Sequence, residues 1–341
     1  MSRYWVWILM VLSSLAITAV DMVLTPRQDA SLLLALLFWS ALGQGMIALA
    51  AASDLSGGRW LGNVRPFLME YYPLLLMFPA AFLVFSRHLD IYPWLGGPNH
   101  WLKPDFFMTR NVVVLLLPFV AAYFYIANAR SKSKRLGLWA VLYLVAFVAS
   151  QSFAAFDWAM TLEYPWINTL FGGYFFVEAF YGGIAFAAIM AAIMSVRQPE
   201  KFSSAFKDTP IMLMGFALLW AGLFYSQYLV IWYGNIPEEV SFLEKRLAIP
   251  IVEYLGLYVL ISLFLIPFIL FISKRIKSSV PAVIAISVIV FTGLLLERFV
   301  ILTPAATIQP IPFSILFILF AIPFVFLLAK QTARVESDSI E

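Results

Sequence analysis

Ten stretches of roughly 20 mostly apolar residues, separated by short polar segments, constrain this chain more than any other feature. A helix of that length crosses about 30 Å of hydrocarbon. In lipid each backbone polar group needs a partner within its own segment, so helix is the expected state of every run. The runs fall at 4–23, 30–52, 70–87, 111–129, 136–157, 173–196, 210–234, 249–273, 279–298 and 311–329. Charged residues make up only 12% of the 341, against about a quarter in soluble domains. The expected fold is therefore all-α and integral to a membrane. About ten transmembrane helices form a single bundle over residues 1–329, and a short polar tail follows at 330–341. Pro79, Pro118, Pro267 and Pro323 lie inside runs, where kinks are tolerated. The first run follows Arg3 and continues to about Val23 with no clear small-residue cleavage site, which reads as a retained span.

Lysine and arginine set the orientation. With the N-terminus inside, 15 of the 22 Lys and Arg fall on inner segments, and the dense loops "RSKSKR" and "SKRIK" carry most of the argument. Both termini are therefore predicted to be cytoplasmic. The outer segment 88–110, rich in Trp, Pro and Phe, has the composition of a segment lying in the interface. It and 235–248 read either as partner-docking surfaces or as ordinary interfacial caps. The net charge of +3 comes from these short basic loops, so it carries orientation and gives no sign of nucleic-acid binding.

The chain has no cysteine and only two histidines, His88 and His100. Cysteine-ligated iron–sulfur clusters and covalently attached haem are excluded. A haem held between helices needs histidines inside spans, so no metal or redox centre is expected in the chain itself.

Ionisable groups within spans are functional candidates by default. Under the orientation above, nearly all sit near the outer ends: Asp21, Asp157, Glu178, Glu253, Glu297 and Arg298, with His88 just after the third run. Tyr174, Glu178 and Tyr181 are spaced to share one helical stripe, as are Ser150 with Asp157 and Ser226 with Tyr233. Gln227 and Tyr228 lie beside the last pair. Together these would line an outward-facing polar pocket. Glu70 stands alone at the inner end and Gln44 below the middle, so no continuous proton path is legible. The plainer reading places Asp21, Glu297 and Arg298 at the water boundary and the tyrosines in an aromatic belt. "GQG" at 43–45 and the glycines and alanines of 181–194 mark close helix packing.

"FAAFDWAMTLEYPWINTLFGGYFF", 153–176, and "FYSQYLVIWYGNIPEE", 224–239, resemble the membrane subunits of alternative complex III. That bacterial quinol:cytochrome c oxidoreductase assembly has membrane subunits of the polysulfide reductase membrane-subunit family. The resemblance is greatest to the second of its two quinone-binding-type subunits, and Asp157, Trp158, Ser226, Gln227, Trp232, Tyr233 and Glu238 stand where the motifs put them. It implies a subunit of the bacterial cytoplasmic (inner) membrane with no cofactor of its own. Its expected partners are a homologous membrane subunit and outer-side multihaem cytochrome c and iron–sulfur subunits. It also implies quinone or quinol bound near the outer side and a share in proton movement. The chain departs from the family in its shorter length and in "FKDTPIMLMGF", 206–216, a less polar lead-in to the seventh run.

Asp157, Glu178, Glu253 and Glu70 are accordingly the proton-path candidates. Trp158, Tyr174, Tyr181, Ser226, Gln227, Tyr233 and His88 are the quinone-pocket candidates. A ligand-free anchor for partner subunits is the competing reading. A secondary transporter fits less well, because the polar residues lie near one face and no repeat is evident.

Overall fold

The computed structural model describes residues 4–97 and 99–338. Arg3, Pro98 and residues 339–341 of the expected tail lie outside the described residues. Every regular element described is helical, and ten helices are long and apolar enough to cross a membrane. They are α1 (Tyr4–Leu24), α2 (Ser31–Ser56), α3 (Gly62–Ile91), α4 (Pro104–Arg130), α5 (Leu136–Glu163), α6 (Phe171–Arg197), α7 (Pro199–Gly234), α8 (Pro250–Leu270), α9 (Val280–Leu302) and α10 (Pro310–Ser337). Each corresponds to one of the expected runs. A short helix, Pro237–Leu247, links α7 to α8.

Several boundaries move for identifiable reasons. Pro199 opens α7 eleven residues before the expected start, because its missing N–H is harmless in a first turn. The helix then runs 36 residues, about 54 Å at 1.5 Å per residue, and so outreaches a membrane core. The last helix likewise continues through residues 330–337. By contrast α3 is a chain of short α and 3-10 pieces, interrupted where Pro66, Pro73 and Pro79 withhold backbone donors.

Helix α2 occupies the centre. Its apolar window is wholly buried, and α3, α5, α6, α9 and α10 all pack on it. The approach to α6 is the closest. A β-carbon on Gly45 would lie 1.9 Å from the Ala179 carbonyl oxygen, and one on Gly183 would lie 2.6 Å from the Gly45 backbone. Two glycines thus let the backbones meet, as the sequence anticipated.

Inter-helix bonds fix which helix ends share a level. At one end, Ala30 donates to the Thr307 carbonyl at 2.8 Å, and Arg246 donates to the Val300 carbonyl at 3.0 Å. This end holds the 92–103, 164–170 and 235–249 connections. At the other end Asn63 donates to the Lys201 carbonyl, Gln198 donates to the Val335 carbonyl, and Lys330 lies over the Trp5 ring. The described ends of the chain are both here.

Candidate functional site

The candidate site is a buried acid cluster beside an apolar cavity. Tyr174 and Glu178, one turn apart on α6, face Trp220 of α7 and Glu297 with Arg298 of α9. The Tyr174 hydroxyl donates to Glu297. The Trp220 indole N–H bridges both acids, 3.2 Å from Glu297 and 3.4 Å from Glu178. Arg298 pairs with Glu178 and lays its guanidinium 3.5 Å above the Phe175 ring. All three charged residues are at most 5% exposed. The plainer sequence reading sets Glu297 and Arg298 at the water boundary; instead both are buried and Arg298 pairs with Glu178. A glutamate and an arginine at the end of an otherwise apolar run, each in need of a partner, were the available signal.

A cavity of about 340 Å³ opens beside this cluster, bounded by α6, α7, the 237–247 helix, α8 and α9. Its walls are mostly apolar, including Phe224, Val259 and Leu260, with Tyr174 and Glu297 among the polar exceptions. The second carboxylate oxygen of Glu297 is buried without a hydrogen-bond partner among the described residues. Gln227, held at 2.9 Å by Asn168, lies on the wall. Glu253 is exposed and lines the cavity from the first turn of α8.

Arg246 adds a fixed cation. Its guanidinium donates to Glu163 at 3.0 Å and to the Val300 and Phe242 carbonyls. Burial pushes it down to about 10, Glu163 offsetting part of the effect. It therefore stays protonated near neutral pH and contributes a positive charge to the cavity lining.

Asp157 is elsewhere. Its carboxylate accepts from Arg110 at 2.7 and 2.9 Å and from Asn111 at 2.8 Å, both on α4. Arg110 itself stacks 4.1 Å over the Trp101 ring and donates to the Trp101 carbonyl. The expected shared face with Ser150 does not form, because α5 widens into a π turn at Ala154–Ala159. One such turn rotates the following residues by roughly 100°. Ser150 instead accepts from Gln44 of α2 at 3.1 Å, in a closed knot with Gln151 and Tyr143. Sequence reasoning passed over Arg110, counting it only as a loop charge.

Trp158, a quinone-pocket candidate, and Trp166 of the same motif are 1% and 6% exposed. Trp158 stacks on Phe82 and donates to Asn111 at 2.8 Å. Trp166 stacks on Phe242 at 4.0 Å. Tyr92 donates to the Trp158 carbonyl at 3.0 Å, and burial first, then the Asp157 charge, holds its hydroxyl well above the usual phenol range. This group is a packed structural joint.

The remaining candidates disperse. His88 is fully buried between Asp21, 3.0 Å from Nε2, and the Arg27 carbonyl, 3.1 Å from Nδ1. Asp21, placed at the water boundary by the sequence, is equally buried and also takes Arg87. Tyr181 leaves the acid cluster and donates to the Leu263 carbonyl at 3.0 Å, within the π turn Ile261–Leu265. Ser226 bonds its own helix at the Gly222 carbonyl, and Tyr233 is 84% exposed. Neither lines the cavity. Glu70 lies at the opposite end with Arg334 and Gln331, at 3.0 and 2.9 Å. No group of three or more metal-ligating side chains occurs among the described residues.

Fold and site together define a multi-pass, all-helical protein of membrane type, with an acid cluster beside an apolar cavity near one end. The chain matches no family model and none of the curated proteins.

Proposed function

We propose that this chain is an integral membrane subunit of a quinol-oxidising electron-transfer complex of the alternative complex III kind. It would sit in a bacterial cytoplasmic membrane with the 88–110 end outside and both termini inside. The observation that carries the reading is an apolar cavity with Tyr174, Gln227 and Glu297 among its few polar lining residues. An apolar pocket with a few polar groups suits a ring with a hydrocarbon tail. A hydroxyl of the quinol head group would donate to Glu297. Both quoted motifs border the cavity, the first through Asn168 and the second through Phe224, Gln227, Tyr228 and Ile231.

Oxidation of quinol to quinone releases two electrons and two protons. The electrons would be taken up by haems and iron–sulfur clusters in partner subunits on the outer side. The protons would pass to the carboxyls of Glu297 and Glu178, two acids bridged by the Trp220 indole N–H. A second membrane subunit of the same family completes the assembly.

The test is photolabelling of the purified complex with benzoquinone and naphthoquinone analogues. Labelling should fall on the cavity walls of α6 to α9. A β-carbon on Gly256, a wall residue, meets nothing within 4 Å, so Gly256→Phe should fill the cavity without disturbing packing and abolish that labelling. Labelling confined to other subunits would favour the anchor reading. That reading has one observation of its own: Tyr225, Trp232 and Tyr233 are 60 to 84% exposed on α7, a surface a partner helix could cover.

A further inference from the structure

A second cavity, of about 670 Å³, opens at the opposite end, where α1, α3, α4 and α10 meet. Among the described residues its charged lining is one-sided: Arg130, Lys330 and Arg334 against Glu70. Glu70 is already engaged by Arg334 at 3.0 Å and by Gln331 at 2.9 Å, which holds the Arg334 guanidinium in place. Lys330 is held between aromatic rings, 5.8 Å from the centre of Trp5 and 5.9 Å from that of Phe326. Below the cations the wall turns apolar, with Val6, Trp7, Pro73 and Leu327. Charge at the rim over an apolar wall, between membrane-length helices, matches one ligand shape: an anionic head group attached to acyl chains.

We propose that this cavity binds an anionic phospholipid, its phosphate among Lys330, Arg334 and Arg130 and an acyl chain along the α1–α10 wall. A free phosphate would use the cations and leave the apolar wall unexplained. A zwitterionic lipid would use the wall but not the excess of positive charge. The site is remote from the acid cluster, so the inference stands whether or not that cluster handles quinol.

Native mass spectrometry of the purified full chain, with whatever subunits accompany it, tests the assignment. Phosphatidylglycerol should be retained over phosphatidylcholine of the same chain length. Lys330→Gln should weaken that preference about fivefold, the typical value of one surface cation toward an anionic lipid, and Lys330→Glu should weaken it further. Lys132→Glu, in the loop at the same end but outside the cavity, should change nothing. Equal loss from Lys132→Glu would mean diffuse surface charge and overturn the site. Equal retention of the two lipids, or displacement of phosphatidylglycerol by millimolar inorganic phosphate, would overturn it as well. A thermal melt matching the parent protein's establishes that the Lys330 variants are folded.

Discussion

Arg298 and Glu178 form an ion pair in which neither side chain is more than 4% exposed, with Glu297 attached to the same Trp220 indole. Such a pair costs desolvation, and its net value against an apolar replacement is small. Its removal by halves is another matter. Glu178→Ala should lower stability by about 3–5 kcal/mol, because it strands a buried guanidinium. Glu178→Leu combined with Arg298→Met should recover much of the loss. Thermal unfolding of Glu178→Leu, Arg298→Met and the double variant measures the coupling; additive losses would refute the pairing.

Asp157 makes a second such pair, and this changes what its amide should do. A solvated or merely titrating carboxylate tolerates Asp157→Asn. Here the amide leaves Arg110 buried without a counter-charge, so the variant should lose about 3 kcal/mol or more. Asp157→Leu with Arg110→Met should melt closer to the parent. An Asn variant with an unchanged melting temperature would show that the Arg110 contact contributes nothing.

Glycine packing gives a prediction independent of charge. Gly45→Ala puts a methyl into the Ala179 carbonyl, so α2 and α6 must part, at a cost of about 1–3 kcal/mol or more. A methyl added at Gly215 meets nothing within 4 Å and should be silent there. Yield of monodisperse protein and its thermal midpoint read both variants. Equal behaviour would contradict the close approach of α2 and α6.

Sidedness is read with introduced cysteines, since the chain has none. Cysteine at Asn99 should react with a membrane-impermeant maleimide in intact cells. Cysteine at Lys132 should react only after the membrane is opened. The reverse pattern would invert the proposed orientation.

For the acid cluster, Glu297→Gln keeps the side chain's shape but removes the site that takes a proton. Quinol oxidation by the assembled complex should fall at least about tenfold, or about 1.4 kcal/mol in the barrier, with assembly retained. Glu253→Gln, an exposed group near the same cavity, should have a far smaller effect. Unaltered turnover in the Glu297 variant would remove this residue from the proposed chemistry.

Span number and approximate position were legible in the sequence because they depend on a local quantity, the length of apolar chain needed to cross a fixed thickness. Gly45 and Gly183 were legible for a similar reason, since small residues in a lipid-soluble helix mark close approach whatever the neighbour. The gathering of Tyr174 and Glu178 on one stripe followed from helical period alone. The partners of buried charges were not legible. A membrane helix is apolar on its inner and outer faces alike, so periodicity does not say which side turns inward. Ser226 and Tyr233 were therefore assigned to a pocket they do not line, and Glu297 to a water boundary from which it is buried. A single π turn at 154–159, with no residue pattern to announce it, carried Asp157 away from Ser150 and gave it to Arg110. Composition and chain length determined what kind of solvent this protein folds in; the rotation of each helix against its neighbours, a property of the packed whole, decided which charges meet.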